Sequence, residues 1–377
     1  MVPPALRVLH VLDSLSIGGT ERNAVRLARE LQRAGVGVQF AVFRDGPLRA
    51  ELDSAGIQVV RHPLSSFYSV AFVREARRLG RIIEDGGIDL IHAHDRGANV
   101  FATASRMLGA RVPMIASKRW DSRADPWPMR MASRFALRSA TRVLANSHAV
   151  ARTAATDEGV PPSKIHVIPN FVDDDLFGIR VSDLRARTRA ELGIGPEQPV
   201  LVCVANLRPV KNQALLLEAL AASRASVPGL LLLLVGDGPS REDLERRSRA
   251  LDLDGQVRFL GVRPDGWQFH AAADISVLSS VTEGFPNALV EAHALGIPVI
   301  ATAVGGVPEI VEDQKTGLLV PEGDAPALTA ALVSLLGDAA RRRAMGVAGR
   351  AAAAGLFGRE QVIRRVLELY RSVVPTP

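Results

Sequence analysis

Cysteine is almost absent from this sequence: Cys203 is the single one in 377 residues. One thiol can form neither an internal disulfide nor a cysteine-rich zinc site, and it fits a reducing compartment. Aromatic residues are sparse at 5%, with two tyrosines and three tryptophans, and no motif of a nucleic-acid reader accompanies them. No apolar run approaches the roughly 18 residues that cross a bilayer. Met1 to Leu12 also lacks the basic start and long apolar core of a signal peptide. These absences set the expectation of a cytoplasmic protein without a resident metal that does not work on nucleic acid.

What is present is an ordinary globular balance, 47% apolar and 23% charged. The chain is too long for one compact core and suits two domains. A net charge of +6, with arginine far outnumbering lysine, points to anionic substrates or an anionic membrane surface.

Short apolar runs alternate with helical periodicity along the whole chain. In the first half they are Arg7–Leu12, Val36–Phe43, Ile57–Val60, Leu90–His92, Pro113–Ala116, Arg142–Ala145 and Ile165–Ile168. In the second half they are Val200–Val204, Leu230–Val235, Val257–Leu260, Asp274–Leu278, Val299–Ala301 and Gly317–Val320. This alternation predicts an α/β protein of two doubly wound parallel sheets covered on both faces. The expected boundaries are 1–170 for the first domain, 171–182 for a linker, 183–357 for the second domain and 358–377 for a final helix returning to the first. Asp173, Asp174 and Asp175 read as an acidic turn in that linker and not as a metal motif.

Ligands in such sheets bind beyond the carboxyl ends of the strands, so the loops there carry the chemistry. The densest is Thr282 to Glu291. After an apolar strand, Glu283, Gly284, Phe285 and Pro286 form a tight turn and Asn287 is the expected N-cap of a helix. Free amides and the positive helix end would hold an anion there, while the Glu283 and Glu291 carboxylates accept hydrogen bonds from hydroxyls. A Glu in a first helical turn stabilises its helix by about 0.3–1 kcal/mol in any case, so Glu291 gains meaning from its neighbours. One such neighbour is Asn206 to Asn212, where Arg208 and Lys211 stand next to a helix start at about Gln213. Their charge is unfavourable for that helix unless a diphosphate binds. Gly236 and its Gly-Asp-Gly-Pro loop, and Gly305-Gly306 before Glu309, follow two further strands.

In the first domain, Gly18 and Gly19 follow the first strand and let a phosphate approach the backbone, with Thr20 expected to cap the helix. The third glycine of a dinucleotide fingerprint is missing. His92 is expected to pack at a strand end, and His94 to stand in the substrate-facing loop beside Asp95. Arg119 to Arg142 interleaves arginines with Trp120, Trp127, Met131 and Phe135. A helix from about Pro128 would suit an anionic membrane surface, extended by Arg74, Arg77, Arg78 and Arg81.

Together these stretches resemble glycosyltransferase family 4, the retaining enzymes of GT-B architecture. The likeness rests on EGFPNALVE from Glu283 to Glu291, flanked in order by Asn206-Leu207-Arg208-x2-Lys211, Gly236-Asp237-Gly238-Pro239 and Gly305-Gly306-Val307-Pro308-Glu309. It implies two Rossmann-like domains facing across a cleft, with nucleotide sugar on the second and acceptor on the first. Arg208 and Lys211 would bind the diphosphate in place of a metal, and Glu283 with the amides of Gly284 to Asn287 the transferred sugar and phosphate. Glu291 would bind the ribose, Gly18 and Gly19 the donor phosphate or acceptor, and His94 the transferred sugar. The expected reaction is hexose transfer from a UDP- or GDP-sugar to a sugar or lipid-linked acceptor, in polysaccharide or glycolipid synthesis. No cofactor is implied. A sugar-nucleotide epimerase or hydrolase of the same fold, or a silent subunit that binds nucleotide sugar or anionic lipid, are the alternatives.

Overall fold

The structure is a computed structural model and describes residues 6–64, 66–119 and 126–374. They divide into two compact units: one runs to Asn170 and resumes from Glu360, and the other is Phe171–Arg359. Trp120 and Arg123 of the basic segment lie outside the described residues.

The first unit is built on seven parallel strands: β1 (Arg7–Ser14), β2 (Gly37–Arg44), β3 (Gln58–Arg61), β4 (Leu90–Ala93), β5 (Met114–Lys118), β6 (Arg142–Ala145) and β7 (Ile165–Val167). They lie side by side in the order β3-β2-β1-β4-β5-β6-β7. The second has six: β8 (Val200–Val204), β9 (Leu231–Val235), β10 (Val257–Phe259), β11 (Ile275–Leu278), β12 (Val299–Thr302) and β13 (Gly317–Val320), in the order β10-β9-β8-β11-β12-β13. Each sheet reverses its winding direction once, at β1/β4 in the first and at β8/β11 in the second. A doubly wound sheet opens a ligand crevice at that reversal, outside the carboxyl ends of the strands.

Why these residues form strands is visible in their burial. Leu231 to Val235 is buried throughout, as is Ile275 to Leu278, because helices cover both faces of each sheet. The expected Asp274 start of β11 gives way to Ile275. The Asp274 carboxylate instead accepts from Arg185 (2.8 Å), Arg189 (3.2 Å) and the Val200 amide (2.8 Å), tying the strand start to the helix Val181–Glu191.

Two expected caps are corrected. Asn287 is the first residue of the helix Asn287–Ala294, and Pro286 holds the cap position, its fixed ring setting the entry into the helix. Thr20 lies inside the helix Gly19–Arg33, with an extended Gly18 before it. The final helix, Arg359–Val373, buries Val362, Val366, Leu369 and Tyr370; Tyr370 reaches His92 on β4.

Candidate active site

At the reversal of the second sheet, the loop after β8 and the loop after β11 are stitched together. The Lys211 ammonium meets Glu283 Oε1 at 2.5 Å, and Ser280 Oγ donates to the same oxygen at 2.6 Å. Ser279 Oγ donates to the Asn212 carbonyl at 2.8 Å and the Lys211 carbonyl at 3.2 Å, while the Val281 amide reaches Val210 O at 2.9 Å. Thr302 at the end of β12 donates to Ser280 O at 2.6 Å. The result is a half-buried cation fixed against a nearly buried carboxylate, their side chains 23% and 7% exposed. Arg208 stands beside them, exposed, with no ion pair among the described residues. Asn212 adopts a left-handed backbone (φ 46°), a conformation asparagine tolerates better than most, where the turn Pro209–Lys211 meets the helix Gln213–Ser223.

Glycines make the close approach possible. Gly305 has φ 52°, and a Cβ there would lie 1.8 Å from the Glu283 carbonyl oxygen, which also accepts from the Gly306 amide at 3.1 Å. The loop after β12 therefore holds the backbone of Glu283. Gly305→Ala is expected to displace that residue, because backbone cannot yield as a flexible side chain would. We expect activity to fall at least tenfold and stability by about 1–3 kcal/mol, the range for a strained backbone site. Steady-state rates and a denaturant titration check both.

The other residues singled out in the sequence have distinct places. Gly236 (φ 138°) gives its amide to Gly261 O and leaves room for Ala205 O, where a Cβ would sit 2.1 Å away, so it serves loop packing. The Phe285 ring is buried edge-on to Phe357, leaving its backbone alone for a ligand. Glu291 is half-buried in the first turns of the helix Asn287–Ala294, and Asn206 is exposed, its carbonyl accepting from Gln213 at 3.1 Å. Cys203 on β8 is buried, and burial pushes its thiol up to about 12, which removes it as a nucleophile.

At the reversal of the first sheet, Gly18 and Gly19 follow β1 and His94 follows β4. The space beside Gly19 is open. His94 is wholly buried rather than loop-exposed: its amide bonds Val11 O, and its ring stacks on His10 and packs at a tilt against His92. Lys118, at the end of β5, is buried and paired with Glu158 at 3.1 Å.

Among the described residues the three histidines His10, His92 and His94 are the one group close enough to hold a metal ion. Four of their six nitrogens are already engaged. His92 has Tyr370 on Nδ1 (2.5 Å) and Ser117 on Nε2 (2.9 Å), and His10 Nδ1 meets His94 Nε2 at 2.7 Å. Collecting three lone pairs on one cation would break these bonds beside the Arg119 guanidinium, which burial lowers only to about 10 and so leaves charged. Sequence reasoning missed Ser279, Ser280, Thr302 and His10. A Ser-Ser pair directly after a strand, and a histidine inside an apolar strand, were the available signals.

Two parallel-sheet Rossmann-like domains, with a cation and carboxylate at one winding reversal, place the chain in the GT-B class of glycosyltransferases. Residues 185–352 match the family described as Glycosyl transferases group 1, and residues 17–176 match Glycosyltransferase Family 4. A relative from Mycolicibacterium smegmatis, a GDP-mannose-dependent alpha-(1-6)-phosphatidylinositol monomannoside mannosyltransferase, is 34% identical over 309 residues, covering 78% of this chain and 79% of the relative. The N-acetyl-alpha-D-glucosaminyl L-malate synthase of Bacillus anthracis is 26% identical over 95% of each chain. The Anabaena protein HepE, crystallised with UDP and glucose, superposes with a TM-score of 0.87 at 25% identity, covering 97% of this chain and 100% of HepE. This chain belongs to glycosyltransferase family 4.

Proposed function

We propose that the protein is a retaining, metal-independent enzyme that moves a hexose from a UDP- or GDP-sugar to a sugar or lipid-linked acceptor. The observation that carries this reading is the Lys211, Glu283 and Ser280 constellation at the β8/β11 reversal, with Arg208 exposed beside it. Relatives with GDP-mannose or UDP-glucose in their names support a nucleotide-sugar donor.

In this mechanism the bond between the anomeric carbon and the diphosphate oxygen breaks, and negative charge grows on the leaving group. Lys211 and Arg208 stabilise that charge where a metal would otherwise do so. The acceptor hydroxyl attacks from the face the diphosphate vacates and gives its proton to a diphosphate oxygen, so configuration is retained. Glu283, with one oxygen already bound to Lys211 and Ser280, offers the other to sugar hydroxyls. Glu291 takes the ribose, and the amides from Gly284 to Asn287 the phosphate. Gly18, Gly19 and His94 serve the donor and acceptor from the first unit.

A panel of UDP-, GDP- and ADP-sugars, each with magnesium or with EDTA, tests the reading by thermal shift. One nucleotide class should raise Tm increasingly with concentration and equally in EDTA, by about 2.7 kcal/mol of stability at a hundredfold excess over Kd. No shift with any of them would sink it. Incubating the same donor alone separates transfer from epimerisation or hydrolysis, which would yield an isomer or rapid free sugar.

A lipid-linked acceptor is favoured by one further observation. In the helix Trp127–Ser139, Trp127, Met131 and Phe135 are 66%, 42% and 54% exposed at four-residue spacing, with Arg138 exposed near them. Large apolar side chains on one arginine-flanked face suit a peripheral contact with anionic lipid. No described helix is long and apolar enough to cross the membrane. Flotation with anionic but not neutral vesicles at low salt is expected, and Trp127→Ser with Phe135→Ser should abolish it; equal recovery with both vesicle types rejects the contact.

A further inference from the structure

The last strand of the first sheet has one free side. β7 stands at the end of the strand order and pairs with β6 alone, Val143 level with Ile165 and Ala145 with Val167. The Ile168 amide reaches Ala145 O at 3.0 Å, so alternation turns His166 towards β6 as well and points the N–H and C=O groups of Ile165 and Val167 the other way. Two of those four groups are covered. The Ile165 amide donates back to Pro162 O, and Arg365 of the final helix donates to Val167 O at 2.6 Å. Ile165 O and the Val167 N–H have no partner among the described residues. In a parallel ladder these are the two groups that a single residue of a neighbouring strand would bond.

A cavity of 810 Å³ runs along this edge, walled by the helix His148–Thr156 and by the final helix, all within the first unit. Ala151 and Ala155, one turn apart, line the first wall, and Leu369 lines the second. Successive side chains of an added strand point to opposite faces, so each wall would receive every second one. Charge then selects the occupant. Arg152 and Arg365 stand exposed on the two walls, against one lining carboxylate, Glu368. A second copy of the chain would bring the same arginines face to face across a twofold axis, where like charges repel. Acidic side chains would pair with them.

We propose that the free edge of β7 is a docking site for an extended, acidic segment of another protein, which adds to the first sheet as an eighth strand. One residue of the segment donates to Ile165 O and accepts from the Val167 N–H. Arg365 releases Val167 O to the next N–H of the segment and turns its guanidinium to a carboxylate. Without a partner, the same arginine blunts an edge that would otherwise invite unspecific pairing. β5 and β6 separate β7 from the β1/β4 reversal, so docking leaves that crevice open and needs no assumption about donor or acceptor.

Selection of a displayed library of random eight-residue peptides on the full-length protein tests this, with the best binder resynthesised with a fluorescent label and measured by anisotropy. Enriched sequences should alternate apolar with acidic residues. The double variant Arg152→Glu with Arg365→Glu should bind the labelled peptide at least tenfold more weakly at unchanged Tm, and a peptide with lysine at each acidic position should regain the affinity on that variant. N-methylation of every second peptide amide should cost at least tenfold in one frame and little in the other, because only alternate amides of a strand face its neighbour. Val167→Pro removes the edge donor while sparing the inward ladder, and should abolish binding; if it fails to fold, the two methylation frames decide. A library without enrichment, equal binding by the charge-reversed variant, or equal losses in both frames overturns the proposal. So does a wild-type dimer that Val167→Pro splits, since the occupant would then be a second copy.

Discussion

Lys211→Ala is expected to lower the rate of sugar transfer by about 10²–10³-fold while the protein stays folded, the loss typical of removing one fixed donor to a developing anion, about 2.7–4 kcal/mol. The ammonium neutralises Glu283 at 2.5 Å. In the mechanism we propose, a bound diphosphate would draw the same cation and release the carboxylate towards sugar hydroxyls. Alanine removes both, leaving Glu283 with the Ser280 hydroxyl alone. Glu283→Gln should lose less charge stabilisation but misorder the sugar, and the double variant should be less than additive because the two side chains touch. Lys211→Arg tests geometry against charge: a planar fork in place of a compact ammonium should recover only part of the rate. Single-turnover rates with saturating donor measure this directly, and a near-normal rate in Lys211→Ala would remove the cation from the mechanism.

The sequence pattern located the strands because both sheets are buried on two faces, so each strand reads as an unbroken apolar run. Val200–Val204, Arg142–Ala145 and Gly317–Val320 fall where periodicity places them. The loops at the strand ends were also visible, through glycine, proline and charge. What periodicity cannot carry is a bond between distant loops. Ser279 and Lys211 are 68 positions apart, and Thr302 and Ser280 are 22, so neither hydrogen bond leaves a local trace. Local chemistry also misled at Asn287, an ideal cap residue preceded by a proline that takes the cap position itself. His10 escaped because it sits mid-strand in an apolar run. Only the β1/β4 register, which sets His10 level with His92, reveals its partners.

Acidification is expected to destabilise the first unit more than the second, and between pH 7.5 and 5.5 rather than only in strong acid. His10, His92 and His94 are buried and held neutral in the first unit, His10 lowered to about 3; in the second, His270 is lowered to about 3 and His293 to about 4. The cause in every case is burial, which disfavours the imidazolium. In the unfolded chain each ring takes a proton near 6.5. Below that pH the unfolded state binds more protons, so stability is full above about 6.5 and falls as pH drops towards the folded values. Each such ring withdraws on the order of 1 kcal/mol between pH 7.5 and 5.5, so three in one unit are a sizeable fraction of the roughly 5–15 kcal/mol that holds an ordinary domain together. Buried His62 adds in the same direction. Asp95 opposes them, because burial raises its carboxyl to about 6 and the folded state takes that proton first. One carboxyl does not offset four imidazoles, so the net sign stands. Hydrogen exchange read by mass spectrometry at pH 7.5, 6.5 and 5.5 resolves the units separately. Protection in β1 and β4 should fall by more than in β8 and β11, and equal or unchanged protection down to pH 5.5 would show that these histidines titrate in the folded state.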